Sequence, residues 1–144
     1  MPSKVYQTMF AKALNKEIDY DSDTIKVALL TSSYTPNQTA HDYYDDVVAN
    51  EVSGTGYTAG GQTLASKTIT QDTANKVTIL DAADVTWASS TITARYAVIY
   101  DDTPSTNATK PLLGYVDFGS DQSSSNGNFT LTWDATGIIR STVA

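Results

Sequence analysis

From Ala65 to Asp134 the chain is a succession of short runs rich in β-branched and aromatic residues, broken by polar turns. The runs are ASKTITQ (65–71), KVTIL (76–80), DVTWA (84–88), TARYAVIY (93–100), LLGYVDFG (112–119) and FTLTWD (129–134). Ser, Thr, Asn, Gly and Asp dominate the spacers. A period of two places successive side chains on opposite faces of a strand, and several such runs with turn signals describe an antiparallel sandwich or barrel. Upstream, IKVALLTS (25–32) is almost wholly apolar and reads as a central strand. DTAN, between the first two runs, is a hairpin turn. The expectation is a mainly β domain spanning 1–144, with about seven to eight strands and a β body over 25–138.

Ahead of that body, residues 4–18 predict a helix. Val5, Met9, Phe10, Ala13, Leu14 and Ile18 recur at helical spacing, and Ser3 is placed to cap. So short a helix is marginal alone, so its stripe covers the chain's own β core or docks on a partner. A second short helix is expected within 39–49, opened by Thr39, with Tyr43, Val47 and Val48 on one side.

Charge narrows the partners. The net charge is −7, and nine basic residues are spread along the chain. Nucleic-acid binding needs clustered cations that displace counterions from phosphate, and an anionic membrane would repel such a surface. No apolar run approaches the roughly 20 residues that cross a bilayer, and the N-terminal stretch lacks the continuous apolar segment of an export signal. Synthesis in the cytoplasm without signal-directed export is expected. The absence of cysteine removes thiol chemistry and disulfides.

The motifs that suggest chemistry are incomplete. GTGYTAGG (54–61) has the glycines of a phosphate loop, but Gln62 and Thr63 stand where Lys and Ser or Thr would follow. Asp19, Asp21 and Asp23 match alternate positions of a calcium loop, yet Thr24 replaces its glycine and Leu30 its final Glu. His41 is the single histidine, with no Gly-x-Ser-x-Gly elbow to serve. The adjacent pairs Asp45–Asp46 and Asp101–Asp102 read as solvated turn charges. Three Asn-x-Thr triplets, at Asn37, Asn107 and Asn128, are what a Thr-rich chain produces by chance. No catalytic, cofactor or metal residue is assigned.

Trp87 and Trp133 lie within alternating strands and so read as core; a sugar-binding platform would need them exposed. Tyr43, Tyr44 and Tyr57 fall outside the strand runs and are the candidate partner-contact residues.

Several stretches together carry a resemblance: DSDTIKVALLTSSYTPN (21–37), NEVSGTGYTAGGQTLASKT (50–68), DVTWASSTITARYAVIYDDT (84–103), PLLGYVDFG (111–119) and FTLTWDATGI (129–138). In these the chain resembles a family of small virion structural proteins of tailed bacteriophages and prophages. The resemblance runs from Lys4 to Ile138 and brings no catalytic motif. It implies a non-enzymatic decoration or cement protein on the capsid exterior, bound to the major capsid protein and self-associating as a dimer or trimer. A tail- or fibre-associated virion protein is the alternative within that class, and a carbohydrate-binding module the alternative outside it.

Overall fold

The computed structural model describes residues 3–144. In chain order the elements are β1 (Lys4–Val5), α1 (Met9–Leu14), β2 (Ile25–Leu30), β3 (Gln62–Thr63), β4 (Thr68–Asp72) and β5 (Val77–Asp81). They continue with β6 (Val85–Ser90), β7 (Thr93–Asp101), β8 (Leu112–Ser123), β9 (Gly127–Leu131) and β10 (Ile139–Thr142). Among the described residues these form a five-stranded sheet in the order β1-β8-β7-β2-β3, a three-stranded sheet β10-β5-β4 and the pair β6-β9. Every ladder is antiparallel. The protein is therefore mainly β and sandwich-like, as the alternating runs imply.

The absence of alternation in β2 has a direct cause: both of its faces are buried. Ile25, Val27 and Leu29 point to one side, with Ala97 and Ile99 of β7 and Leu113 and Val116 of β8. There they meet Trp87, Phe129, Leu131 and Ile139 from the smaller sheets and Trp133 from the connection after β9. Ala28 and Leu30 point the other way, among Tyr96, Val98, Tyr100, Leu112 and Tyr115. That second face is covered by the connection after β2, which contributes Tyr34, Tyr44 and Val47. Fully burying each large apolar side chain contributes about 1.5–3 kcal/mol, so a strand apolar on both sides anchors two layers at once.

The helix expected over 4–18 is six residues long. Lys4 and Val5 instead pair with Tyr115 and Gly114 at the edge of the central sheet, and Tyr6 is fully buried against its second face. Gly114 permits this approach, because a Cβ there would lie 2.7 Å from the Lys4 carbonyl oxygen. At the other end the helix stops before Lys16, which takes a φ of 65° and turns Ile18 and Tyr20 into the core. Strand pairing and burial of two tyrosines outweigh the weak propensity of a short helix.

The short helix expected within 39–49 is replaced by 3-10 turns at Tyr44–Asp46 and Val48–Asn50. Side chains hold this connection: Asn37 Oδ1 accepts from the Thr39 and Ala40 amides, and Asp46 Oδ2 accepts from the Asp42 amide at 2.9 Å. The strands β1, β3 and β10 lie outside the expected runs, and β10 carries the β body past 138 to Thr142.

Candidate contact surface and the tyrosine layer beneath it

Of the three candidate contact tyrosines, Tyr44 lies in the layer on the second face of the central sheet, whereas Tyr57 packs with Trp87 against the core face. The hydroxyls of Tyr43 and Tyr57 are engaged within the chain, and that of Tyr44 is buried without a hydrogen-bond partner among the described residues. Tyr44 is buried and stacks on Tyr100, with ring centroids 4.0 Å apart and planes inclined by 15°. Tyr57 is half-buried: its hydroxyl accepts from the Leu29 amide at 2.9 Å and donates to Glu51 Oε1 at 2.8 Å. That hydroxyl serves a β2 amide beyond the end of the two-residue β3 ladder, so Tyr57 extends the sheet edge. Tyr43 is also half-buried, with the Lys12 ammonium 3.6 Å from its ring centroid and its hydroxyl on Glu17 Oε2 at 2.9 Å. Burial pushes the Tyr44 and Tyr57 phenols up, and the Glu17 carboxylate raises that of Tyr43. The exposure expected of these residues therefore does not hold for Tyr44 and holds only in part for Tyr43 and Tyr57.

His41 belongs to the same layer. Its Nδ1 lies 2.9 Å from the Tyr34 hydroxyl, which lies 2.8 Å from the Tyr6 hydroxyl in the interior. Lys12 closes the layer from the helix side: its Nζ donates to the Asp42 carbonyl at 2.7 Å and sits 3.5 Å from the Asp42 carboxylate. Burial lowers the Lys12 pKa, partly opposed by that carboxylate.

Next to Tyr44 and Tyr100 lies a shallow polar cleft of about 260 Å³. Asp102 accepts from Lys26 at 2.9 Å and Lys110 at 2.6 Å across it. Despite its burial, those two ammonium groups hold the Asp102 carboxyl below the usual carboxylate range. On the opposite wall Glu51 Oε1 accepts from the Gly60 amide at 2.6 Å, and Tyr100 donates to the Gly60 carbonyl at 2.6 Å. The glycine loop is thus a structural clasp. At Gly61, with φ of +77°, a Cβ would lie 1.9 Å from the Val27 carbonyl oxygen.

The aspartate pair at the end of β7 departs from expectation. Asp102 is satisfied in the cleft, but Asp101 is fully buried on the other side of the strand. Successive strand residues face opposite ways, which separates the two environments. The Asp19–Asp23 turn is closed by its own hydrogen bonds, Asp23 Oδ2 accepting from the Asp19 amide and Asp19 Oδ1 from the Ser22 amide. Among the described residues no group of three or more His, Asp or Glu side chains is arranged to hold a metal ion. No helix among them is long and apolar enough to cross a membrane.

A larger open slot of about 430 Å³ separates β8 from β9, floored by Val116, Phe118, Phe129 and Leu131 and edged by Gln122, Asn128 and Thr130. No ionisable side chain lines it. Both tryptophans are core residues, Trp133 donating from Nε1 to the Ala83 carbonyl at 3.0 Å.

The large apolar side chains that are exposed among the described residues lie elsewhere, Ile69 on β4, Val143 just after β10, and two on α1. On α1, Met9 and Ala13 turn to the core, while Phe10 is 61% and Leu14 71% exposed. Residues four apart on a helix are neighbours, so these two make one apolar knob. The sequence stripe contained both, but the burial of Tyr6 and Met9 is what rotates them outward.

No family model matches the chain, and no curated protein or solved structure is found similar to it.

Proposed function

We propose that the chain is a non-enzymatic structural subunit of a tailed-phage virion, a decoration protein that sits on the outside of the head and stabilises the assembled shell. The observation that carries this reading is the division of labour in the fold. The hydroxyls of Tyr34, Tyr43 and Tyr57, the His41 ring and the charged groups of Lys12, Glu17 and Glu51 are engaged in internal bonds, and Tyr44 is buried, while α1 turns Phe10 and Leu14 outward. A double-layered core supplies rigidity, and a small apolar knob supplies an anchor on a partner.

The resemblance described above supports the same assignment, and the major capsid protein is the proposed partner. A subunit that binds only the expanded lattice stabilises that lattice by mass action. Dimers or trimers spanning neighbouring capsid subunits would convert modest single contacts into avidity. A net charge of −7 suits an exterior position, away from the packaged nucleic acid.

Heads assembled with and without the chain provide the test. Those lacking it should release their DNA on milder heating and recover resistance when the purified chain is added back. Equal robustness in both states would overturn the reading.

A further inference from the structure

The buried end of β7 holds an arrangement that neither the fold nor the proposed role requires. Asp101 is paired in register with Ile25 on the core side of the central sheet and is fully buried. Its Oδ1 accepts from the Thr103 amide at 2.9 Å, whereas its Oδ2 has no donor among the described residues. The group beside it is another carboxyl, that of Asp23, from the turn joining α1 to β2. Two ionised carboxylates in contact at a buried position repel and leave lone pairs unsatisfied, whereas one proton between them satisfies both.

We propose that Asp23 and Asp101 share a single proton, and that this proton latches the 19–24 turn onto the end of β7. The turn is closed by its own hydrogen bonds and anchored by buried Tyr20, and the pair adds a side-chain contact from its outer loop to β7. The Thr24 amide donates to Thr103 Oγ1 at 2.9 Å, the Asp102 amide donates to the Thr24 carbonyl at 2.8 Å, and Lys67 Nζ donates to the Asp23 carbonyl. Lys67 is the cation facing the pair, and it also lies over the Tyr20 ring. The Asp102 carboxylate, with Lys26 and Lys110, projects into the cleft on the other face of the strand. The hydrogen bond with Asp101, then the Asp19 amide and Lys67, favour the ionised form of Asp23, and Asp101 carries the proton. Burial, followed by the Asp23 carboxyl, pushes Asp101 up to about 7, while Asp23 is held below the usual carboxylate range. The latch is closed in mildly acidic solution and opens as the proton leaves Asp101.

The pair is tested on the full chain by carboxyl carbon NMR titration, with amide exchange of residues 19–24 followed from pH 5 to pH 9. The latch predicts one aspartate signal titrating near neutrality. It also predicts an opening constant, corrected for base-catalysed exchange, that rises by up to about tenfold per pH unit beyond that point. Asp101→Asn can donate from its amide to Asp23, so its turn should remain protected at all these pH values. Should that variant fail to fold, the wild-type titration decides alone. Both carboxyls titrating below pH 5 would overturn the proposal. So would turn protection at pH 8.5 that depends on added calcium, which would make the pair a cation site.

Discussion

Tyr6 and Tyr34 meet hydroxyl to hydroxyl at 2.8 Å inside the protein, and Tyr34 alone continues the chain of bonds to His41. The arrangement is asymmetric. Tyr6→Phe leaves Tyr34 with its His41 partner and should cost about 0.5–1.5 kcal/mol. Tyr34→Phe strands the Tyr6 hydroxyl at a fully buried position and should cost about 1–3 kcal/mol. Urea denaturation of the two variants checks the order; a larger loss for Tyr6→Phe would contradict it.

The second face of the central sheet depends on the Tyr44–Tyr100 stack. Tyr44→Ala removes a large buried ring where the covering connection can relax only in part. The expected loss is about 3–5 kcal/mol. Near-ultraviolet circular dichroism should lose tyrosine signal before the far-ultraviolet strand signal changes. A variant with wild-type stability would mean that the 31–50 connection does not pack as described.

Gly61 combines a positive φ with a clash that no rotamer can relieve, because the obstructing atom is the Val27 backbone carbonyl. Gly61→Ala should cost more than the roughly 1–3 kcal/mol of a strained backbone conformation alone. The damage should spread to β3, whose Gln62 pairs with Val27. Thermal unfolding together with amide exchange at residues 62–64 measures both effects.

Stability should also depend on pH in a direction fixed by Asp101. An unfolded aspartate loses its proton near pH 4, whereas the native Asp101 keeps its own until about 7. Between those values the native chain binds more protons than the unfolded chain, so stability falls as pH rises. Asp23 acts oppositely: its lowered pKa contributes stability above about pH 4 that is lost on further acidification. Urea midpoints should therefore decline from about pH 4.5 to pH 8 and then level off. In Asp101→Asn the decline should vanish. An equal decline in that variant would place its origin elsewhere.

Much of this fold is legible in the sequence, for reasons that differ from element to element. The alternation in DVTWA and FTLTWD survives because β6 and β9 bury one face only, which places Trp87, Phe129 and Leu131 in the core. IKVALLTS reads as a central strand because burial on both faces removes its polar positions. The helix is shorter than its periodicity implies, because a pattern at 4–18 cannot reveal that Lys4 and Val5 pair with a strand more than a hundred residues away. Placement outside the strand runs does not identify contact tyrosines, because being outside a strand is not the same as being outside the core. Tyr44 and Tyr57 reach inward from their connections. Asp101 reads as a solvated turn charge because the sequence does not show that β7 runs one residue further, on the inward side. Phe10 and Leu14 carried an apolar signal, but only the packing of Met9 and Tyr6 shows which half of the stripe faces out.

The most direct measurement is co-sedimentation of the purified chain with expanded, undecorated heads, followed by cryo-electron microscopy of the pellet. A Phe10→Asp/Leu14→Asp double variant serves as the control, since both positions are exposed and its fold should be unchanged. The wild type should pellet saturably and give density repeating across the lattice with α1 toward the shell, and the double variant should stay in the supernatant. No pelleting of the wild type, or density confined to the portal or tail, would contradict it.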